Sequence, residues 1–312
     1  MDTIGIVGAG LIGRAWAIVF ARSGHPVKLW DGEAKQREAA LPIVGGRLRD
    51  LEAAGLIGDP AAVLKRIAVV GTMAEAVRGV AYVQECLPEI LELKRKTFAE
   101  MDALAAPETI LASSTSTMPA SSFTETLKGR ARCLVAHPVN PPYLVPVVEL
   151  SGAPWTSPQT LARARHLQEA AGQKPVTVQR EIAGFILNRL QGALLNEAFR
   201  LVEDGYVTPE DLDTTIAHGL GLRWSFMGPF ETIDLNAPDG LADYCRRYGP
   251  VYYTMAKEQA DPRSWEAVTP VLEANRRRHL PAARLGERQA WRDRRLMALA
   301  AHKIAMDERE GT

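Results

Sequence analysis

The sequence predicts an α/β protein: an N-terminal Rossmann-type doubly wound sheet followed by an all-helical C-terminal domain. Three observations carry this. A strand, glycine turn, helix and second strand fill the first 31 residues; apolar β-branched runs then alternate with helical periodicity; and from Phe185 onward the apolar residues recur only at spacings of three and four. At roughly 150 residues per domain, 312 residues make two domains. Their expected ranges are 1–182 and 183–312.

The first strand is Ile4 to Val7, and the helix after it carries Leu11, Ala15, Trp16, Val19 and Phe20 on one face. Gly24 stands where a helix C-terminus favours a left-handed residue, and His25-Pro26 stops the helix before a second strand, Val27 to Trp30. Further strands are expected at Ile67 to Val70, Val80 to Val83, Thr109 to Ala112 and Cys133 to Ala136, with a helix over Leu91 to Leu104. Such alternation implies a parallel sheet covered by helices. Val147 to Leu150 and Val176 to Val178 read as late edge strands around a helix from Pro158 to Ala171.

Lys+Arg and Asp+Glu balance at 37 each, so the charge calls for neither nucleic acid nor a membrane surface, and a small-molecule partner is expected. The arginine-rich C-terminus is interleaved with Glu273, Glu287 and Asp293, which suits a solvated or subunit-contacting helix face. Cys86, Cys133 and Cys245 show no paired spacing, which argues against a disulfide framework or a thiolate metal site. With no apolar run of about 18 residues and no basic leader, the expected location is the cytoplasm.

Gly8-Ala9-Gly10-Leu11-Ile12-Gly13 follows a strand, opens a helix, and precedes Asp31 at the end of the next strand. In this context the glycines let the backbone approach a pyrophosphate at the helix N-terminus, while the Asp31 carboxylate binds ribose hydroxyls and repels a 2′-phosphate. NAD is therefore favoured over NADP. His137 opens the loop His137-Pro138-Val139-Asn140-Pro141-Pro142 at the C-terminal edge of a strand, with Glu149 twelve positions on. A neutral imidazole there can take a hydroxyl proton as hydride leaves the carbon, and a carboxylate on its other nitrogen fixes the tautomer. Ser113 to Thr117 place several hydroxyls at a neighbouring edge, and the residues alone do not choose among them. Asn188, a polar residue on an apolar helix face, either satisfies a core network or faces a cleft.

These motifs, with Gln84 to Glu89 followed by Lys94, with Val148 to Ser151, Gly184 to Gln191, Gly219 to Trp224 and Leu241 to Tyr248, resemble the L-3-hydroxyacyl-CoA dehydrogenase superfamily. Within it the chain is most similar to the lambda-crystallin branch, the L-gulonate 3-dehydrogenases. The resemblance implies a catalytic pair at His137 and Glu149, a substrate-hydroxyl serine at Ser116 and a second-domain asparagine at Asn188. It assigns dinucleotide contacts to Leu11, Ile12, Asp31, Glu89, Lys94 and Asn140, and it implies a homodimer. Two departures from the acyl-CoA members set the expected substrate. Arg223 stands where they are typically apolar, and Glu33 to Leu56 lacks their lysine-rich coenzyme platform. Arginine binds a free carboxylate bidentately, so a small L-3-hydroxy acid is expected over a CoA thioester. A catalytically silent, crystallin-like structural protein is the alternative from another class.

Overall fold

A computed structural model describes residues Met1 to Glu310, so the last two residues of the expected range 183–312 lie outside the described residues. Eight strands, β1 (Ile4–Val7), β2 (Val27–Trp30), β3 (Ile67–Val69), β4 (Tyr82–Glu85), β5 (Ile110–Ser113), β6 (Cys133–Pro138), β7 (Val147–Gly152) and β8 (Lys174–Val178), form one sheet in the order β3-β2-β1-β4-β5-β6-β7-β8. Helices α1 (Leu11–Arg22), α2 (Ala34–Ala53), α3 (Pro60–Leu64), α4 (Met73–Val77), α5 (Leu91–Leu104), α6 (Ser121–Thr124) and α7 (Pro158–Ala170) connect them. Every pairing is parallel except β6 with β7, which is antiparallel. That reversal departs from the expected parallel sheet, and it follows from the short 139–146 connection, which holds no crossover helix.

Two apolar clusters fill the layers. One gathers Ile6, Trp16, Phe20, Leu29 and Leu134, the other Val7, Val83, Phe98, Leu111 and Val135. Neighbouring strand residues contribute to opposite clusters because side chains alternate across a strand. α1 buries Ala15, Trp16, Val19 and Phe20 as its periodicity predicts, while Leu11, counted on that face, stands 63% exposed at the helix start. Gly24 takes φ +98° and ends the helix as expected.

The remaining helices are α8 (Leu187–Glu203), α9 (Pro209–Thr215), α10 (Gly221–Trp224), α11 (Pro229–Asp234), α12 (Gly240–Glu258), α13 (Thr269–His279) and α14 (Leu285–Glu310), with a π-helical turn at Ile216–Leu220 before α10. The chain divides into two compact units, one of Met1–Arg189 with the stretch from Trp291, the other Leu190–Ala290. The C-terminal stretch, expected with the helical domain, thus groups with the sheet. Met297 is buried in the first apolar cluster and Asp293 pairs with Arg47 of α2 at 3.7 Å. Within the second unit Phe199 meets Trp265 edge-on, and Tyr244 of α12 packs against Tyr248 and Tyr252.

Candidate active site

Strand order reverses between β1 and β4, and the loops leaving β1, β4 and β5 share that C-terminal edge. Gly8 takes φ +110°, and a Cβ there would lie 2.8 Å from the Cys86 carbonyl; at Gly13 a Cβ would lie 1.7 Å from the Gly8 carbonyl oxygen. Only glycine fits at either position. Gly10 has open space where a Cβ would stand, and it caps α1 without a side-chain acceptor. The first-turn amides, Leu11 and Ile12 among them, are therefore left for an anion. Asp31, directly after β2, accepts from Ala9 N (2.7 Å) and Glu33 N (2.8 Å), which fixes its carboxylate beside the glycine turn. A dinucleotide fits these residues.

The end of β4 anchors the serine loop. Glu85, fully buried, accepts from Lys94 Nζ at 3.1 Å on both oxygens, from Ser113 Oγ at 2.5 Å and from Leu87 N at 2.6 Å. Burial pushes the Glu85 carboxyl up, opposed by the Lys94 charge and these bonds. Lys94 is 1% exposed and also reaches Glu89 at 3.6 Å. Glu89 Oε1 in turn accepts from Thr115 Oγ1 (2.5 Å), Ser116 N (2.9 Å) and Thr117 N (3.1 Å). Partial burial opposes its ionisation, but Thr115, Lys94 and the two amides outweigh that and hold the carboxyl below its ordinary value. Ser116 itself is exposed at the loop tip.

His137, expected just past its strand, lies within β6 and pairs directly with Glu149 across the antiparallel ladder. Facing residues of such a ladder stand about 5 Å apart at Cβ. His137 Nδ1 meets Glu149 Oε2 at 2.8 Å, and both residues are buried, at 4% and 2% exposure. The other carboxylate oxygen accepts from Ile186 N (2.8 Å) and Leu187 N (2.9 Å) at the start of α8. Burial opposes ionisation of Glu149, but the His137 bond and the two amides hold the carboxyl below its ordinary value. A carboxylate on Nδ1 keeps a proton there, so Nε2 carries the lone pair.

The turn into α8 has Gly184 at φ +74° and Phe185 at φ +50°, the one positive-φ residue other than glycine among the described residues. Phe185 is fully buried, its ring 5.4 Å from that of His137. This turn aims two amides at Glu149 and brings Asn188 Nδ2 to Ser116 O at 2.7 Å. Asn140 is exposed in the loop after β6. Arg223 is exposed on α10 of the second unit, close enough to Tyr244 to oppose the rise in its phenol pKa.

A profile for the NAD-binding domain of 3-hydroxyacyl-CoA dehydrogenase matches residues 3–182, and one for the same enzyme's C-terminal domain matches residues 184–277. The chain belongs to the 3-hydroxyacyl-CoA dehydrogenase family. It is an NAD-dependent oxidoreductase acting on CH–OH groups. Rabbit (Oryctolagus cuniculus) lambda-crystallin is 42% identical over 308 residues, 96% of each chain. The L-carnitine dehydrogenase of Pseudomonas putida is 36% identical, covering 96% of this chain and 93% of its own. Among solved structures, a 5-formyl-3-hydroxy-2-methylpyridine 4-carboxylic acid 5-dehydrogenase, described as an NAD+-dependent dismutase, aligns with TM-score 0.74 at 29% identity over 91% of this chain and 97% of its own.

The structure of this family member brings His137, Glu149, Phe185, Asn188 and Ser116 together within one compact unit, and it sets Arg223 in the other. Sequence reasoning passed over Glu85 and Phe185. An acidic residue in an apolar strand was a signal for the first; the positive φ of Phe185 left none.

Proposed function

We propose that the protein oxidises the 3-hydroxyl of a small L-3-hydroxy acid of the L-gulonate type to the 3-keto acid. The 2.8 Å contact of His137 Nδ1 with Glu149 Oε2 carries this reading. His137 Nε2 accepts the hydroxyl proton, Glu149 stabilises the imidazolium, and Ser116 and Asn188 position the substrate oxygen. NAD, when bound through Gly8, Gly10, Leu11, Ile12, Gly13 and Asp31, with Glu89, Lys94 and Asn140 nearby in the scheme, supplies the hydride acceptor. Arg223 holds the free carboxylate.

The α2 stretch supports a free acid. Arg47 pairs with Asp50 and Asp293, and Arg37 donates to the Asp31 and Gly32 carbonyls, so two of its cations are engaged within the protein. A relative named for L-carnitine, itself a free 3-hydroxy acid, points the same way. The family name favours a second reading, a 3-hydroxyacyl-CoA thioester. Exposed Leu222, Phe226, Phe230, Val251 and Tyr253 on the second unit suit a homodimer surface. Three free cysteines suit the reducing cytoplasm.

The test follows NADH formation with L-gulonate, L-3-hydroxybutyrate and 3-hydroxybutyryl-CoA at matched concentrations. Turnover of free acids that collapses in His137→Ala, and whose KM rises in Arg223→Ala, supports the proposal. Turnover of the thioester alone moves the protein to the acyl-CoA reading. Tight NADH binding with no turnover of any substrate supports the silent, crystallin-like reading.

A further inference from the structure

β4 carries polar side chains on both faces at its C-terminal end, although the strand is fully buried. Glu85 serves the serine loop on one face. Gln84, at 0% exposure, lies on the other, beside Tyr82, Trp16 and Ala136 of the first apolar cluster. An amide buried among such residues costs free energy unless its bonds are made, and an apolar side chain of similar shape would avoid that cost.

Here the bonds of Gln84 run in one direction. Gln168 Nε2 donates to Tyr82 Oη (3.2 Å), and Tyr82 Oη donates to Gln84 Oε1 (2.6 Å). Burial pushes the Tyr82 phenol up, so its proton stays available. With its oxygen held, the Gln84 amide must turn its NH2 the other way. It donates to Ser114 Oγ (2.7 Å) and to the Ala136 carbonyl (3.2 Å). Trp16 Nε1 donates to the same Ser114 oxygen at 3.1 Å. Ser114 stands two residues before Ser116, and Ala136 immediately precedes His137. One amide nitrogen thus ties together the loop bearing the serine and the strand bearing the histidine.

We propose that Gln84 is a positioning residue that sets the separation of Ser116 and His137, with Tyr82 fixing the direction of its amide. The inference rests on the reaction proposed above, in which those two side chains flank the same hydroxyl. A misplacement of about 1 Å between reacting groups costs on the order of 100-fold in rate.

The experiment compares Gln84→Leu, Tyr82→Phe and the double variant with the wild-type protein on its preferred substrate. The expected result for Gln84→Leu is a roughly 10- to 100-fold lower kcat with KM for NAD within about twofold. Tyr82→Phe, which removes one oxygen, lowers kcat in the same sense by less. The double variant is no worse than Gln84→Leu, because Tyr82 acts through Gln84. A drop in thermal midpoint with kcat unchanged in both single variants assigns the network to stability alone and overturns the proposal. Should Gln84→Leu fail to fold, Tyr82→Phe decides by the same kcat criterion. If the wild-type protein turns over no hydroxy acid, the reaction is refuted separately. Backbone hydrogen exchange of Gln84→Leu or Tyr82→Phe then decides: a joint rise at 114–117 and 136–140 sustains the positioning role, and unchanged exchange overturns it.

Discussion

Replacing Glu149 with Gln keeps the shape of the side chain while changing what one of its two ends demands of its neighbours. In the native protein both oxygens accept, one from His137 Nδ1 and the other from Ile186 N and Leu187 N. A glutamine has one oxygen. If that oxygen keeps the two amides, its NH2 faces His137 Nδ1, which must then accept, and the imidazole proton moves to Nε2. Nε2 can no longer take a proton from the substrate. If the oxygen faces His137 instead, the NH2 meets two N–H donors, and bonds to a charged acceptor worth about 1.5–3 kcal/mol each are lost. The first orientation costs less, so the wrong tautomer dominates. The same exchange in a serine-protease triad costs about 10⁴-fold in kcat. We expect a loss of roughly 10³- to 10⁴-fold for Glu149→Gln, about 4 to 5.5 kcal/mol of barrier, with NADH affinity unchanged because Asp31 and the glycine turn are untouched. Initial rates of NADH formation give kcat, NADH fluorescence gives the affinity, and imidazole ¹⁵N shifts report the tautomer. A variant that folds, binds NADH and keeps kcat within about tenfold of wild type would refute tautomer control by Glu149.

Three further outcomes follow from the geometry. Gly13→Ala pushes a methyl to 1.7 Å from the Gly8 carbonyl, so α1 must withdraw from the turn, at about 1–3 kcal/mol of stability and at least about tenfold in NADH affinity, read by thermal unfolding and fluorescence titration. Lys94→Met takes the countercharge from a buried carboxyl that burial already pushes up, so Glu85 must take a proton on folding at neutral pH; we expect a loss of up to about 3–5 kcal/mol in urea unfolding, and adding Glu85→Gln restores part of it. Glu149 and Glu89 both have carboxyls held below their ordinary value, so their stabilisation is complete above about pH 5 and drains away as pH falls past about 4.3. The thermal midpoint should fall over that acid range, and less steeply in Glu149→Gln.

What the sequence disclosed is what is local. β1 and β2 lie at the expected residues because glycine punctuation and apolar runs fix them within one short unit. β4 was expected at Val80 to Val83 and lies at Tyr82–Glu85, because Gln84 and Glu85 are polar and continue no apolar run, while the partners that bury them, Lys94, Ser113 and Ser114, lie outside the strand. β6 runs on through His137 for a similar reason: its last residues are held by β7, whose antiparallel direction no periodicity announces. The stretch from Trp291 has helical periodicity that suits either unit, and the contacts that decide, Met297 in the sheet cluster and Asp293 on Arg47, are long-range. Of the four proposed catalytic positions, His137 and Glu149 were legible as residue types near a strand edge, while Ser116 was one of several hydroxyls and Asn188 one of two readings until the family resemblance chose them. The Gly184–Phe185 turn that gathers two of the four was not legible, since nothing local in the sequence announces a positive φ at a phenylalanine, here buried against His137.

Two groups in the site can hold a proton, and the geometry separates them. Glu149 has both oxygens engaged, one by His137 and the other by two backbone amides, and it is 2% exposed. Its carboxyl is also held below the ordinary value, which makes it a poor base for an alcohol proton. To accept one it would have to weaken its bond to His137 or those to the start of α8. His137 gives up nothing, because its Nδ1 proton already points at Glu149 and its Nε2 is the nitrogen without that bond. When Nε2 takes the proton, the positive charge forms 2.8 Å from a carboxylate that is already ionised and already oriented. In the proposed reaction the proton therefore rests on the imidazole, and Glu149 acts by holding it there.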